Sequence, residues 1–415
     1  MSMFDFSPKL LSFAEEAEEM CGWRFAEIDK ITEYNQQRVL SAFIENGVSA
    51  RHLHGSTGYG YGDEGRDLLD KVFALSIGAQ DALVRHTFAS GTHALAVMLS
   101  GVLRPGDRLL SVTGQPYDTL IGVLGHKSHT PGSLTEQGVT YDEVPLGENG
   151  QPDIQAIRNS LSQNPATAVY IQRSRGYSLR PSITSDCLVD LINGLRETAP
   201  GSIILCDNCY CEFTECQTSF EAGIDLSAGS LIKNPGGGLV RTGGYIAGKA
   251  DLVERCAARM TAPGVGREVG AGLDMNRELY MGLFNAPHAV GEAMKTAVFA
   301  AALFELMGYK VFPLYSESRP DIVQSVLLGH EENLIKFCQG LQSGSPVDSS
   351  ALPLPWDMPG YDNQVIMAAG TFTLGASIEL SSDAPLREPY AVWLQGALNY
   401  HSGKIGVLSG AAKLM

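Results

Sequence analysis

Several things are scarce in this 415-residue chain, and each scarcity excludes something. Eight cysteines are too few, in a chain this long, for the disulfide scaffold of a secreted protein. No apolar run approaches the roughly 18 residues a membrane-spanning helix needs, so no membrane partner is expected. Basic residues are outnumbered, 30 Lys+Arg against 46 Asp+Glu, and the net charge of −16 disfavours nucleic acid as a partner. The stretch MSMFDFSPKLLSFAEEAEEM is too acidic for a secretory signal and lacks the Arg-rich character of a transit peptide, so a cytoplasmic location is expected. No internal repeat, low-complexity tract or GxxxxGK[ST] phosphate loop occurs. The glycines of Gly58–Gly65 have no strand before them and make a poor dinucleotide fingerprint.

Four cysteines crowd together as Cys206, Cys209, Cys211 and Cys216. A second pair with matching spacing is missing and the histidines are far away in sequence. Cys206 ends the apolar run SIIL, where a buried thiol is an ordinary core residue. No metal site is expected.

What is present is the composition of a globular protein, 44% hydrophobic and 18% charged, long enough for two domains. Helical periodicity fills Ser7–Met20 and Arg24–Asn46 and stops at Gly47. From about Asp81 to Gly248, short apolar runs (ALVRHTF, RLLSVTG, TAVYIQR, SIILCD and segments around SLIK and GGYIAG) alternate with amphipathic stretches, including Thr92–Leu103, Ile154–Leu161 and Asp186–Arg196. This pattern predicts βαβ units and a mostly parallel sheet covered on both faces. A long helix is expected from Asn276. Beyond it, QVIMAAGTF and ASIEL read as strands, and EENLIKFCQGL and YAVWLQGAL as helices. The expected organisation is a helical N-terminal arm (1–60), a large α/β domain (61–288) and a smaller C-terminal α/β domain (289–415).

Lys233 emerges from an apolar run and precedes Asn-Pro and three glycines. An amine there, beside backbone free to approach a ligand, suits Schiff-base chemistry, because partial burial lowers its pKa and frees it to attack a carbonyl. The other reading is a lysine snorkelling from a strand end. Asp207 ends the SIILC run, at the carboxyl edge of a parallel sheet where ligands bind. There it would pair with the protonated ring nitrogen of a pyridoxal cofactor, or simply cap a turn. Ser90, Gly91 and Thr92 lie between an apolar strand and an amphipathic helix, a place for a phosphate or for an ordinary N-cap.

In order and spacing, the phosphate turn, Asp207 and Lys233 resemble the fold type I pyridoxal-phosphate enzymes, specifically the cystathionine and methionine lyase group. Closer still, TGYGYGDEGRD, IQRSRGYSLRPS, CDNCYCEFTE, SLIKNPGGG and GTFTLGASIELSSDAPLREPYAV resemble the methionine γ-lyase-like branch named for aluminium resistance, over nearly the whole chain. The resemblance implies the fold of the aspartate aminotransferase superfamily and pyridoxal 5'-phosphate as cofactor. It implies a carbon–sulfur lyase of cystathionine β-lyase or methionine γ-lyase type: Lys233 carries the cofactor and takes the α-proton of an amino-acid substrate. Asp207 would hold the ring nitrogen. Tyr117 would stack on the ring and assist the leaving group. Ser90, Gly91, Thr92 and Ser230 would bind the phosphate. The substrate carboxylate would be gripped by Arg387, unless that is a surface arginine.

The resemblance also implies a homodimer or homotetramer with shared active sites, in which Tyr59 or Tyr61, and Arg66, reach a neighbour's phosphate. Ile232 stands where the well-studied lyases carry Thr. The Arg173–Arg175 stretch is a local peculiarity, facing either the cofactor's ring oxygen, an acidic substrate group, or solvent at a strand end. Other chemistries on the same cofactor (aminotransferase, desulfurase) and a non-catalytic, cofactor-binding stress protein remain open at this level.

Overall fold

A computed structural model describes residues 3–126, 130–358 and 363–415. The chain opens with α1 (Pro8–Glu45), where Ser7 accepts the Leu10 N–H and Pro8 occupies the first helical position. The two helical stretches expected here are one helix of 38 residues. Gly22, the residue that invited a break, has open space around it. Its cost of about 1 kcal/mol relative to alanine is offset by the continuous buried stripe Leu10, Ala14, Ala17, Cys21 and Ile28. After α2 (Glu64–Ile77), β1 (Asp81–Arg85), α3 (Gly91–Val102), β2 (Arg108–Ser111), α4 (Asp118–Leu124) and β3 (Thr140–Glu143) follow in turn. The alternation continues through α5 (Ile154–Gln163), β4 (Ala168–Gln172), α6 (Ser185–Thr198), β5 (Ile203–Asp207), β6 (Leu226–Ser230), β7 (Gly244–Gly248) and α7 (Ala250–Met260).

These seven strands form one sheet in the order β1-β7-β6-β5-β4-β2-β3. β7 pairs antiparallel with both neighbours, and the remaining pairs are parallel. Successive residues of one strand feed different cores: Tyr170 and Leu205 pack on one face, Val169, Ile171, Ile204 and Cys206 on the other. That double burial is why the strands read as unbroken apolar runs. In register, Gln172 lies opposite Asp207, which places their side chains side by side at the carboxyl edge.

The next helix, α8 (Asn276–Leu306), runs without a break through the expected boundary at 288/289. It shares a core with α1 and α2. It leads to β8 (Lys310–Phe312), β9 (Val323–Leu327), α9 (Glu331–Ser343), β10 (Val365–Ala368), β11 (Ser381–Pro385), β12 (Ala391–Gln395) and α10 (Tyr400–Ala412). The five strands make a second, antiparallel sheet ordered β10-β11-β12-β9-β8.

Two expectations fail here. ASIEL is not a strand: its Ile378 N–H donates to the Ile232 carbonyl and its carbonyl accepts the Ala397 N–H, so its backbone ties the two domains together and the strand begins at Ser381. YAVWLQGAL is not a helix. It contains β12, paired with β9 and β11, and a short run buried on every residue carries no helical or strand period to read. Among the described residues, no helix is long and apolar enough to cross a membrane.

Candidate active site

A cavity of about 300 Å³ opens at the carboxyl edge of the large sheet. Lys233 is three residues beyond the end of β6, so the strand-end placement expected from SLIK is off by one short connection. Its Nζ sits 3.9 Å from the centre of the Tyr210 ring. Burial pulls the Lys233 ammonium down, but Cys209, Tyr210 and Asp207 around it hold it above lysine's usual value.

The glycines after it do not approach a ligand. A Cβ on Gly236 would lie 1.7 Å from the Leu231 carbonyl, and one on Gly237, at φ 53°, 2.4 Å from the Gly282 carbonyl on α8. They let the turn fold back beneath Lys233 and pack on the long helix.

Asp207 ends β5 and is buried, with Oδ1 accepting the Cys209 N–H at 3.0 Å. Burial pushes its carboxyl up, while Lys233 and the Cys209 N–H draw it back. A cationic ring nitrogen brought against it would add a second positive partner to Lys233 and favour the ionised carboxylate further.

At the other end of the cavity α3 begins. Ser90 caps it by accepting the His93 N–H at 3.1 Å, and Thr92 and Thr119 join hydroxyls at 2.9 Å. The first N–H groups of the helix have no intrahelical acceptors and carry its positive dipole end. A Cβ on Gly91 would come within 3.1 Å of Ser230 Cβ. Glycine therefore lets the Ser230 side chain sit close against the helix start, and Ser90, Gly91, Thr92 and Ser230 all line the cavity.

Tyr117 forms another wall. Its N–H donates to Gln172 Oε1 at 2.7 Å, and its ring meets Tyr177 edge-on at 5.5 Å. Gly176, at φ 57°, is close enough that a Cβ would lie 3.1 Å from Tyr117 Cδ2.

Three expected residues lie outside the main cavity of their own chain. Arg387 lies just past β11, exposed, and lines a neighbouring cavity of about 200 Å³ that shares Tyr117, Gln172 and Gly176 with the first. Tyr61 is 65% exposed, stacked on Tyr59 at 5.7 Å, and lines neither cavity of its own chain. Arg66 is buried and donates to the carbonyls of Gly60 and Gly270, bracing the loop that displays both tyrosines. Of the RSR stretch, Arg173 is committed to Glu215, Asn208 and Ser219, whereas Ser174 and Arg175 face the cavities.

Gln172, Cys209, Tyr210 and Arg241 line the main cavity without having been singled out from sequence. Gln172 and Cys209 were legible in principle, one ending a strand beside Asp207 and the other two residues after it. Tyr210, at φ 71°, and Arg241, paired with Glu278, depend on the folded loops.

A mostly parallel seven-stranded sheet, a second antiparallel sheet and a lysine facing a buried strand-end aspartate define the fold type I pyridoxal-phosphate-dependent class. The pyridoxal-5'-phosphate-dependent protein YhfS of Escherichia coli has this fold, with a TM-score of 0.62 over 92% of this chain and 95% of that one at 18% identity.

Within that class the chain belongs to the methionine gamma-lyase family, whose profile matches residues 10–415. The uncharacterized protein YnbB of Bacillus subtilis (strain 168) is 46% identical over 391 residues, 94% of this chain and 92% of YnbB. A carbon–sulfur lyase involved in aluminum resistance from Clostridium novyi NT is 43% identical, with a TM-score of 0.95 over 99% of this chain and 97% of that one. Family and fold imply pyridoxal phosphate, and the residues present fit it: helix N–H groups and hydroxyls at α3 suited to a phosphate, a buried carboxylate suited to a cationic ring nitrogen, and an amine in the same cavity.

Proposed function

We propose that the protein is a pyridoxal-phosphate-dependent carbon–sulfur lyase acting on a sulfur-containing amino acid. The observation that carries this reading is one cavity holding the Lys233 amine, the buried Asp207 carboxylate and the α3 N-terminus with Ser230. The cofactor, when bound, supplies an electron sink for negative charge developing at the substrate's Cα.

The chain's residues supply the rest. The α3 N–H groups, Ser90, Thr92 and Ser230 hold the phosphate. Asp207, kept from water by burial, keeps the ring nitrogen cationic. Lys233 would anchor the cofactor and serve as the base toward the Cα proton. Tyr117 would cover the ring and assist departure of the thiolate. Carbon–sulfur cleavage would release a thiol, and hydrolysis of the remaining imino acid by one water would give ammonia and a keto acid.

A homodimer with shared sites belongs to the proposal. It is supported by the exposed, stacked Tyr59 and Tyr61, held on a braced loop yet outside their own chain's cavity. Eight free thiols suit a reducing compartment such as the cytoplasm.

The test is a screen of S-substituted cysteines and methionine, with no added keto-acid acceptor, for thiol and keto acid. Release by the protein and none by Lys233→Ala supports a lyase. Keto acid that forms only with an acceptor points to an aminotransferase, and bound cofactor without any turnover points to a non-catalytic role.

A further inference from the structure

Glu212 lies on the loop that continues from Asp207 and is 3% exposed. Its backbone carbonyl accepts the Asn234 Nδ2 N–H at 2.9 Å, and Asn234 is the residue after Lys233. The loop that carries Asp207 is thereby tied to the turn that carries Lys233.

The Glu212 side chain lies against β6 and β7. Its Oε1 accepts the Tyr245 hydroxyl at 2.7 Å. Gly229 stands opposite Tyr245 in register. A Cβ there would fall 2.8 Å from Glu212 Oε1 and 2.6 Å from Tyr245 Cε1, so β6 carries glycine where acid and phenol meet. Two acceptors are left over. Glu212 Oε2 and Asn234 Oδ1 are both buried and have no partner among the described residues.

An ionised carboxylate at this depth would need a cation. Glu212 forms no ion pair among the described residues, and Arg173 nearby is committed to Glu215. Lys233 lends part of a charge that Asp207 and Tyr210 share. The other titratable groups facing Glu212 are Asp207, Tyr245 and the thiols of Cys206, Cys209 and Cys211, and none of them is a cation. Burial pushes the Glu212 carboxyl up to about 7. A neutral carboxyl group is a donor as well as an acceptor. One proton on Oε2 supplies the donor that Asn234 Oδ1 lacks, and two orphaned acceptors become one hydrogen bond.

We infer that Glu212 is a positioning residue for Lys233, a neutral acid whose Oε2–H is donated to Asn234 Oδ1. Backbone carbonyl and carboxyl then grip both ends of the Asn234 amide. That grip fixes the turn from which Lys233 enters the cavity, and with it the placement of Lys233 relative to Asp207. The inference rests on Lys233 as the cofactor-bearing amine and requires no particular reaction. An enclosed space of about 20 Å³ beside Glu212 has room for one water, the rival partner for Oε2.

The test compares the cofactor-supplemented protein with Glu212→Gln and Glu212→Leu. Glutamine keeps a donor and an acceptor without a charge, and leucine keeps neither. Below pH 7, the infrared difference between the parent and Glu212→Gln should contain the carbonyl band of a protonated carboxylic acid. The cofactor concentration for half-occupancy, read from the visible spectrum, should stay near the parent's in Glu212→Gln and be about tenfold higher in Glu212→Leu. A crystal structure of the loaded protein should place Glu212 Oε2 within about 3 Å of Asn234 Oδ1. Absence of the infrared band overturns the inference, as does a water on Oε2 in place of Asn234. So does a Glu212→Gln protein as weak as Glu212→Leu, or equal half-occupancy in all three. The band and the contact in a parent that takes up no cofactor uphold the Glu212–Asn234 bond and refute the cofactor role of Lys233 instead.

Discussion

On the large-domain side of the cleft, Asp207 and Lys233 share one cavity and pull each other's ionisation toward the charged forms. Beyond Tyr117, the buried Arg175 and Arg180 repel each other and share the charge of one buried carboxylate, Asp321. The first arrangement has its charges balanced before any ligand arrives and suits a fixed reaction centre. The second sets three arginines against one acid, Asp118, on its lining. The two cavities meet at Tyr117, so one cleft holds two different electrostatic environments.

The comparison breaks first if Lys233 is dispensable. Lys233→Ala should lower turnover by about a thousandfold or more, the range for losing a positioned base and anchor together, with the unfolding curve little changed. Residual activity within tenfold of the parent would remove Lys233 from the chemistry. Asp207→Asn keeps the shape and removes the charge. It should cost about a hundredfold in kcat/KM and weaken cofactor retention, measured as the cofactor concentration that restores half the activity.

Glu212 sharpens the contrast from behind the sheet. Its Oε1 accepts the Tyr245 hydroxyl, and its Oε2 and Asn234 Oδ1 are buried without partners among the described residues. Burial raises its carboxyl to about 7, against the hydrogen bond from Tyr245 and the charge of Lys233. The folded state therefore holds this proton more tightly than the unfolded chain. That contribution is complete below the ordinary glutamate range and is lost as pH rises toward about 7, roughly 3 kcal/mol across the interval. Glu212→Gln should flatten stability against pH between 4.5 and 7, read as denaturant midpoints. An unchanged slope would show that the group stays ionised.

The smallest effect is at the proposed dimer contact. Tyr61→Ala should raise the cofactor concentration needed for half-occupancy a few-fold, about 1 kcal/mol for one lost hydrogen bond. No change would place Tyr61 outside any shared site.

Much of this was legible in the chain, and the two regions differ in how much. Ser90, Asp207 and Lys233 announce themselves locally, because an apolar run ending in a carboxylate or leading into a helix carries its own signal. The large sheet is legible for the same reason. The second cavity is not: Arg175 and Arg180 come from one loop and Arg387 from the segment after β11, and they meet only after folding. The small sheet was misread where burial on every residue erased periodicity, as in β12, and where backbone bonds join domains rather than strands, as at Ile378. Tyr210 became visible only when a left-handed backbone turn set it beside Lys233.

The central claim, that Lys233 carries pyridoxal phosphate, is tested most directly by borohydride reduction of the purified, cofactor-supplemented protein. The visible spectrum is followed, and the modified residue is then located by peptide mass mapping. The account predicts a yellow protein whose band is bleached on reduction, with the added mass on the peptide containing Lys233 and none in Lys233→Ala. A colourless protein that takes up no cofactor, or the added mass on a different lysine, would contradict it.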